Sequence, residues 1–331
     1  MSQALERRSP SDLLDPRDTL DGFYFRTTST ETRRVYRRVV EEFWGFIQSI
    51  HPEMTDLRFA CQQIGSGDVQ AYRDWLMTTH SQKGKKRRPA TVARALHVVK
   101  ALFDHLGVAP NPASPARVQR PIVNNVRTDF LRPKQIKYVL AGPDQSKTIG
   151  ARDYAILKMF FRMIPRRGEL ARLQVKDIYG AKGKWRVRFI LKGGREFVKP
   201  MPDDVKESID AYLALDKHRR HLLKSDGPDA PLFQPTINNR KGDFNKGLDG
   251  SMIYMIFHRW VTYAGFETGA YPHAARGSWV TEGLRRGIPV NKLRLGGGWK
   301  SDTMIWRYNK AGDDVEQNAI SAFNVEEEEG N

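Results

Sequence analysis

The sequence carries one cysteine, Cys61, in 331 residues. A single thiol excludes an intrachain disulfide framework and a cysteine-built zinc site, and it fits a reducing, cytoplasmic-type compartment. No uninterrupted apolar stretch reaches the roughly 20 residues that a membrane-crossing helix needs. The opening MSQALERRSP lacks the apolar centre of a signal peptide. Acidic residues are also in short supply, with 38 Asp and Glu against 55 Lys and Arg, for a formal charge of +17. An excess of that size points to a polyanionic partner, most commonly nucleic acid, and a basic membrane-surface protein is the weaker competitor. No internal repeat or sustained low-complexity segment is present apart from the four glutamates at 326–329.

What is present divides in two. Residues 1–26 read as a polar, flexible lead-in. Val35, Val39, Val40, Phe43, Phe46, Ile47 and Ile50 then recur at helical spacing, with Arg33, Arg34, Arg37 and Arg38 between them, giving an amphipathic helix with a basic outer face. A second helix follows Ser66 and buries Val69, Tyr72 and Leu76; a third runs from about Pro89 to Leu106 on Val92, Leu96, Val99, Leu102 and Phe103. These pieces predict a small all-helical domain over 27–110. The run KGKKRRPAT before the third helix holds Lys85, Lys86, Arg87 and Arg88, with Arg94 a turn further on. An isolated basic run is often only a solvated loop. Here it abuts a helix start, where free amides also favour an anion, so these residues with Arg33, Arg34 and Arg37 are candidate DNA-backbone contacts. Pro, Ala and Asn without periodicity predict a linker over 111–127.

The second half, 128–331, opens with a short helix near Phe130–Leu140 and a strongly apolar one through Ala155, Met159, Phe160 and Met163. Pro165 breaks it, and Arg166 emerges at the break with Glu169 three residues on. Taken alone, Arg166 and Arg167 are an ordinary surface pair. WRVRFIL alternates as a strand, Gly193 and Gly194 make a two-residue turn, and REFVKP returns, which leaves Lys192 at the hairpin tip. A lysine flanking a turn is normally a solubilising charge. His273 and Arg276 are three apart and share a helix face. Gly287 ends that helix and Pro289 suits the start of another. Trp299 and Tyr308 are nine apart, out of phase on one helix, so they converge only if the chain bends. Ser301 is the expected N-cap at that bend, with Tyr308 on its own short, mobile element. Trp299 taken alone reads as a core aromatic, and Tyr308 as a surface phenol.

Together, RRGELARLQVKDI, the LKGG hairpin, HAAR, GGW and WRYNK resemble, in this order, the boxes of the tyrosine recombinase (phage integrase) family. The likeness is strongest to the Cre-type members, which share Trp299 where most members have a second histidine. The resemblance implies a fold that is mainly α with a small antiparallel β-sheet: an N-terminal helical core-binding (SAM-like) domain and a C-terminal catalytic domain. It implies Tyr308 as nucleophile, Arg166, His273, Arg276 and Trp299 around the phosphate, Lys192 as the hairpin lysine, and Glu169 as the acidic residue of the first box. The chemistry needs these types. Guanidiniums and an indole N–H stabilise the charge that builds on nonbridging oxygens, and a phenol with pKa about 10 needs a base. Lys192 is the natural proton donor to the leaving 5′ oxygen.

The implied activity is site-specific cleavage and rejoining of DNA through a 3′-phosphotyrosyl intermediate and a Holliday junction. The implied partners are double-stranded DNA with inverted-repeat sites and a homo-tetramer on that DNA, monomer or dimer otherwise. Neither a metal nor a nucleotide cofactor is implied. A tail helix at 313–325, with Val315, Ala319, Ala322 and Phe323 on one face, would dock on a neighbouring protomer. The lead-in is short for the arm-binding domain of lambda-type members, so a simple recombinase of mobile DNA is expected. A catalytically silent DNA-binding protein of the same ancestry and a type IB topoisomerase are the alternatives. Met163, Ile164 and Pro165 stand where relatives commonly have Thr-Gly-Leu, a departure at the helix break itself.

Overall fold

The computed structural model describes residues 16–80, 84–123, 130–191, 193–236, 245–266 and 271–309. The chain divides into two compact units, Met1–Val126 and Arg127–Asn331. The described residues are mainly helical, with one three-stranded antiparallel sheet. None of their helices is long and apolar enough to cross a membrane.

The first unit contains α1 (Pro16–Phe25), α2 (Thr30–Ile50), α3 (Leu57–Gln63), α4 (Ser66–Thr78) and α5 (Pro89–His105). Local capping sets their starts: the Ser29 hydroxyl accepts from Thr32 N–H, the Asp56 carboxylate from Phe59 N–H, and Pro89 sits at the first turn of α5. The helical spacing of α2 brings Val39, Val40, Phe43 and Ile47 inward against Leu96, Leu102 and Phe103 of α5. Phe43 lies edge-on to both Tyr72 and Phe103, at 5.0 and 6.1 Å. Burying each such side chain contributes about 1.5–3 kcal/mol, and this core holds the unit together.

Two expectations are corrected here. The end of the lead-in is helix α1, whose Phe23 and Tyr24 are buried, Phe23 stacking on Tyr36 at 5.3 Å. The start of the expected linker is also packed. Ala113 and Val118 are buried in the same core, and the Asn111 amide donates to Lys100 O and Asp104 Oδ1.

The second unit contains α6 (Pro133–Ala141), α7 (Thr148–Met163), α8 (Arg167–Ala171), β1 (Ile178–Tyr179), β2 (Arg186–Ile190), β3 (Glu196–Pro200), α9 (Asp203–Leu222), α10 (Gly250–Tyr263), α11 (Pro272–Arg285), α12 (Val290–Gly297) and α13 (Thr303–Tyr308). The sheet runs β1-β2-β3, with Val187 opposite Lys199 and Phe189 opposite Phe197. Helix α7 is buried on nearly all sides, the paired Arg152 and Asp153 included, and α9, α10 and α11 pack around it. The end of α7, at the buried Met163 and Ile164, is where the site begins. A second, small core of Ile164, Val280, Leu293, Trp299 and Ile305 joins that end to α11, α12 and α13. Ile305 is fully buried and anchors the six-residue helix that carries Tyr308.

Candidate active site

Helix α7 terminates by turning left-handed. Ile164 has φ 49 and ψ 43, and its N–H donates to both Met159 O and Phe160 O at 3.2 Å. For a β-branched residue this backbone region costs about 1–2 kcal/mol. Pro165 has no N–H to continue the ladder, and Arg166 is extended (φ −75, ψ 151) as the N-cap of α8. Glu169, buried, accepts the Arg166 N–H on Oε2 at 2.8 Å and the Arg166 guanidinium on Oε1 at 2.7 Å. One carboxylate thus starts the helix and aims the arginine, whose side chain stays 45% exposed. The break at Pro165 is as the spacing predicts; the Arg166–Glu169 pairing is what the structure adds.

His273 and Arg276 share the first turns of α11, with Pro272 at its start. Arg276 is 1% exposed, the largest fully buried side chain among the described residues. Its Nη1 donates to Ile164 O at 2.6 Å and its Nη2 to Gly297 O at 3.2 Å, while its Nε has no hydrogen-bond partner among the described residues. A buried guanidinium ordinarily pairs with a carboxylate; this one is seated on two carbonyls. His273 is exposed but crowded, and its pKa is lowered from the usual 6.5, first by partial desolvation, then by the charges of Arg276, Arg166 and Arg167, with Glu169 opposing. The imidazole is therefore neutral at neutral pH and able to accept a proton.

Trp299 is delivered by the glycine triplet. Gly298 closes α12 with φ 66, and Gly297 lies so close to the indole that a Cβ there would overlap it at 2.1 Å. The indole lies 5.0 Å from the Arg276 Cζ and 5.4 Å from the Tyr308 ring, with the two rings inclined at 32°. The Trp299 Nε1 is buried without a partner among the described residues. The bend needed to bring Trp299 and Tyr308 together exists, but its N-cap is Asp302 rather than Ser301, and Asp302 pairs with Arg294 at 2.9 Å instead of capping by its side chain. The Tyr308 ring is half-buried with the Arg276 guanidinium 5.9 Å from its centre, and the Tyr308 carbonyl accepts from Thr281 Oγ1 at 3.5 Å.

Lys192 lies outside the described residues, as does the tail at 313–325. Its hairpin is described around it: Gly193 and Gly194 both have positive φ, and Leu191 N–H donates to Arg195 O at 2.8 Å. The structure also shows a lysine that the spacing arguments passed over. Lys199 on β3 is 8% exposed, and its Nζ donates to Met163 O at 2.8 Å. Burial first, then Arg276 and Arg166, lower its pKa to about 7, with Glu169 opposing. A signal existed: Lys199 follows Phe197 by two residues, so both point to one face of the strand.

Beside Arg166 a cavity of about 550 Å³ is lined by Arg166, Arg167, Arg172, Tyr254, Tyr271 and His273. Tyr254 and Tyr271 stack at 5.8 Å. Among the described residues no group of three or more His, Cys, Asp or Glu could hold a metal ion.

The candidate DNA contacts of the first unit divide differently from the expectation. Lys85, Lys86, Arg88 and Arg94 are exposed. Arg34 is exposed and pairs with Glu31 at 2.8 Å. Arg33 donates to Thr27 O at 2.8 Å and lies over Phe25, while Arg37 faces Asp21 and the Tyr24 ring, so both brace α1 against α2. Arg87 is corrected: its side chain is 9% exposed, bonded to Glu42, Thr79 and His80 O and laid over Trp75. It fastens α2 to α4 because its charge is already matched inside the unit.

A buried indole N–H, a second guanidinium, a neutral imidazole and a phenol therefore gather around the Arg276 guanidinium, an arrangement suited to holding an anionic group against a tyrosine. Residues 129–314 match the model of the phage integrase family. The chain belongs to the phage integrase family, that of the tyrosine recombinases. It is 26% identical over 288 residues to tyrosine recombinase XerC of Thermodesulfovibrio yellowstonii, covering 85% of this chain and 86% of the relative. It is 25% identical over 291 residues to tyrosine recombinase XerD of Shewanella oneidensis, covering 85% and 86%. The fold is similar to that of XerH site-specific recombinase bound to a palindromic difH substrate in a post-cleavage complex, with a TM-score of 0.66 at 14% identity over 93% of this chain and 84% of that one. It is also similar to a lambda integrase dimer bound to a COC′ core site, with a TM-score of 0.60 at 15% identity over 89% and 95%.

Proposed function

We propose that the protein is a site-specific recombinase that cleaves and rejoins double-stranded DNA through Tyr308. The observation that carries this reading is the pair of buried, unpartnered donors, Arg276 Nε and Trp299 Nε1, packed against the Tyr308 ring. A buried N–H without an acceptor costs about 1–3 kcal/mol, a cost that phosphoryl oxygens would offset. Arg166, aimed by Glu169, supplies the second guanidinium. The phenol oxygen attacks phosphorus as its proton passes to His273, the P–O5′ bond breaks, and the leaving oxygen takes a proton from Lys192. A 3′-phosphotyrosine and a free 5′ hydroxyl result, and attack by a 5′ hydroxyl of another duplex reverses the step with strands exchanged.

Trp299 gives the site the likeness to the Cre recombinase of phage P1, and an indole donates without titrating. Residues 27–110 are the core-binding domain in this reading, touching phosphates through Arg88, Arg94, Lys85 and Lys86, and 128–331 are the catalytic domain. Two short inverted-repeat sites are joined by a tetramer through a Holliday junction, with the tail at 313–325 on a neighbouring protomer, in integration, excision or resolution of mobile DNA. The test is a duplex selected by the native chain from random-sequence DNA and nicked near the cleavage point. It should trap a covalent adduct with the native chain and none with Tyr308→Phe. Equal adducts from both would refute the assignment.

A further inference from the structure

We propose that Lys199 is a positioning residue for strand cleavage, holding the Met163 carbonyl from the inward face of β3 and so fixing the elbow that presents Arg166 and seats Arg276. The proposal rests on the recombinase reading and adds a residue to it.

Lys199 stands where packing alone would put an apolar side chain. It is opposite Val187, its strand neighbour on the same face is Phe197, and its amine lies 5.5 and 5.8 Å from the Phe197 and Phe189 ring centres. Burying an amine among rings is unfavourable unless the amine is spent on something. It is spent on the Met163 carbonyl. The groups facing it are Arg276 from α11 and Arg166 and Glu169 from the α8 segment, and among the described residues no carboxylate forms an ion pair with it.

The end of α7 explains the need. The Ile164 N–H closes the ladder on Met159 O and Phe160 O, Pro165 lacks an N–H and the Arg166 N–H goes to Glu169, so neither Pro165 nor Arg166 carries the ladder on to the carbonyls at the break. Two cations bond the carbonyls on either side of the turn: Lys199 takes Met163 O, and Arg276 takes Ile164 O. The strained left-handed residue is thus gripped on both sides by groups from β3 and α11. Two residues later stands Arg166. Loss of the Lys199 grip lets the elbow relax, which moves Arg166 and the carbonyl seat of Arg276 together. Misplacement of about 1 Å in such a constellation costs about a hundredfold in rate. With its amine committed to a carbonyl, Lys199 is not the proton donor to the leaving oxygen.

The experiment compares native chain, Lys199→Met, Ile164→Gly and Lys199→Met with Ile164→Gly on the selected, nicked duplex. It measures DNA affinity, thermal unfolding and single-turnover adduct formation, with an ordinary and a 5′-bridging phosphorothiolate cleavage point. Lys199→Met should bind within about twofold of native, unfold no earlier, and form adduct at least about tenfold more slowly on both substrates. Sulfur leaves without a proton, so a positioning defect is not rescued by it. Glycine adopts the left-handed turn unaided but removes the Ile164 side chain from the core it shares with Trp299, so the double variant is compared with Ile164→Gly alone, and the loss caused by Lys199→Met should be smaller in the glycine background. Undiminished adduct formation by Lys199→Met overturns the proposal, as does a defect that the sulfur substrate restores. Absence of any adduct from the native chain would overturn the recombinase reading, and this proposal with it.

Discussion

Trp299→Phe separates the two services the indole could render. The ring is packed by Tyr308, Trp279 and Arg276, and it is 6% exposed. Phenylalanine keeps an aromatic face for the guanidinium and the phenol but removes a volume on the order of 40 Å³, which at about 24 cal/mol per Å³ of residual cavity costs at most about 1 kcal/mol. It also removes the Nε1 donor, which is buried without a partner; deleting an unsatisfied buried N–H returns about 1 kcal/mol or more. The two changes oppose one another, so stability should stay within about 1 kcal/mol of native in denaturant unfolding. The chemical step behaves otherwise. If Nε1 donates to a nonbridging oxygen as charge develops there, its loss costs about a hundred- to thousandfold in single-turnover adduct formation, or about 2.7–4 kcal/mol. Trp299→His, which restores an N–H on a smaller ring, should recover part of that rate. Native-rate cleavage by Trp299→Phe would refute the donor role. A stability loss above about 3 kcal/mol would show instead that the indole is a structural post.

Glu169→Ala should destabilise the catalytic unit by about 1–3 kcal/mol in denaturant titration, because the Arg166 N–H loses its cap and the guanidinium its partner. Glu169→Gln keeps an acceptor and should lose less stability, yet both variants should slow adduct formation more than tenfold by misaiming Arg166. The pKa of His273 lies below 6.5, so its neutral, proton-accepting form persists to lower pH than in an ordinary histidine. The second-order rate of adduct formation, which reports the free protein, should therefore hold through pH 6.5 and fall only below it. His273→Gln should abolish that limb. Unfolded chains bind the extra proton first, so the same group also takes stability from the fold as pH drops through this window. A limb centred above pH 7 would contradict the assignment of His273 as base.

Much of the second unit was legible because its signals are local. Pro165 defines the break, the three-residue step fixes His273 and Arg276 on one face, and Gly296–Gly298 with a nine-residue offset demand a bend before Tyr308. What sequence spacing missed depends on partners far along the chain. Helix α1 is a loose ten-residue segment until Tyr36 and His105 offer Phe23 a surface. Arg87 looks like the other members of its basic run until Glu42, 45 residues earlier, takes its charge inward.

Lys199 is the sharper case, because alternation already placed it on the apolar face with Phe197 and the residue type contradicted that placement. A lysine scored only for what it could donate to a substrate looks dispensable beside Lys192. Scored for what its burial costs, it requires a reason, and the reason lies 36 residues away at the Met163 carbonyl. The departure at Met163, Ile164 and Pro165 leads to the same place. A side chain in a slot that favours glycine leaves a strained turn, and a strained turn beside a buried cation means that the two are held together. Local conflicts of this kind, a charge on a core face and a β-branched residue with positive φ, concentrate at sites because only a functional demand keeps them tolerable. Both conflicts meet at the elbow of α7, and the residue that the elbow presents is Arg166.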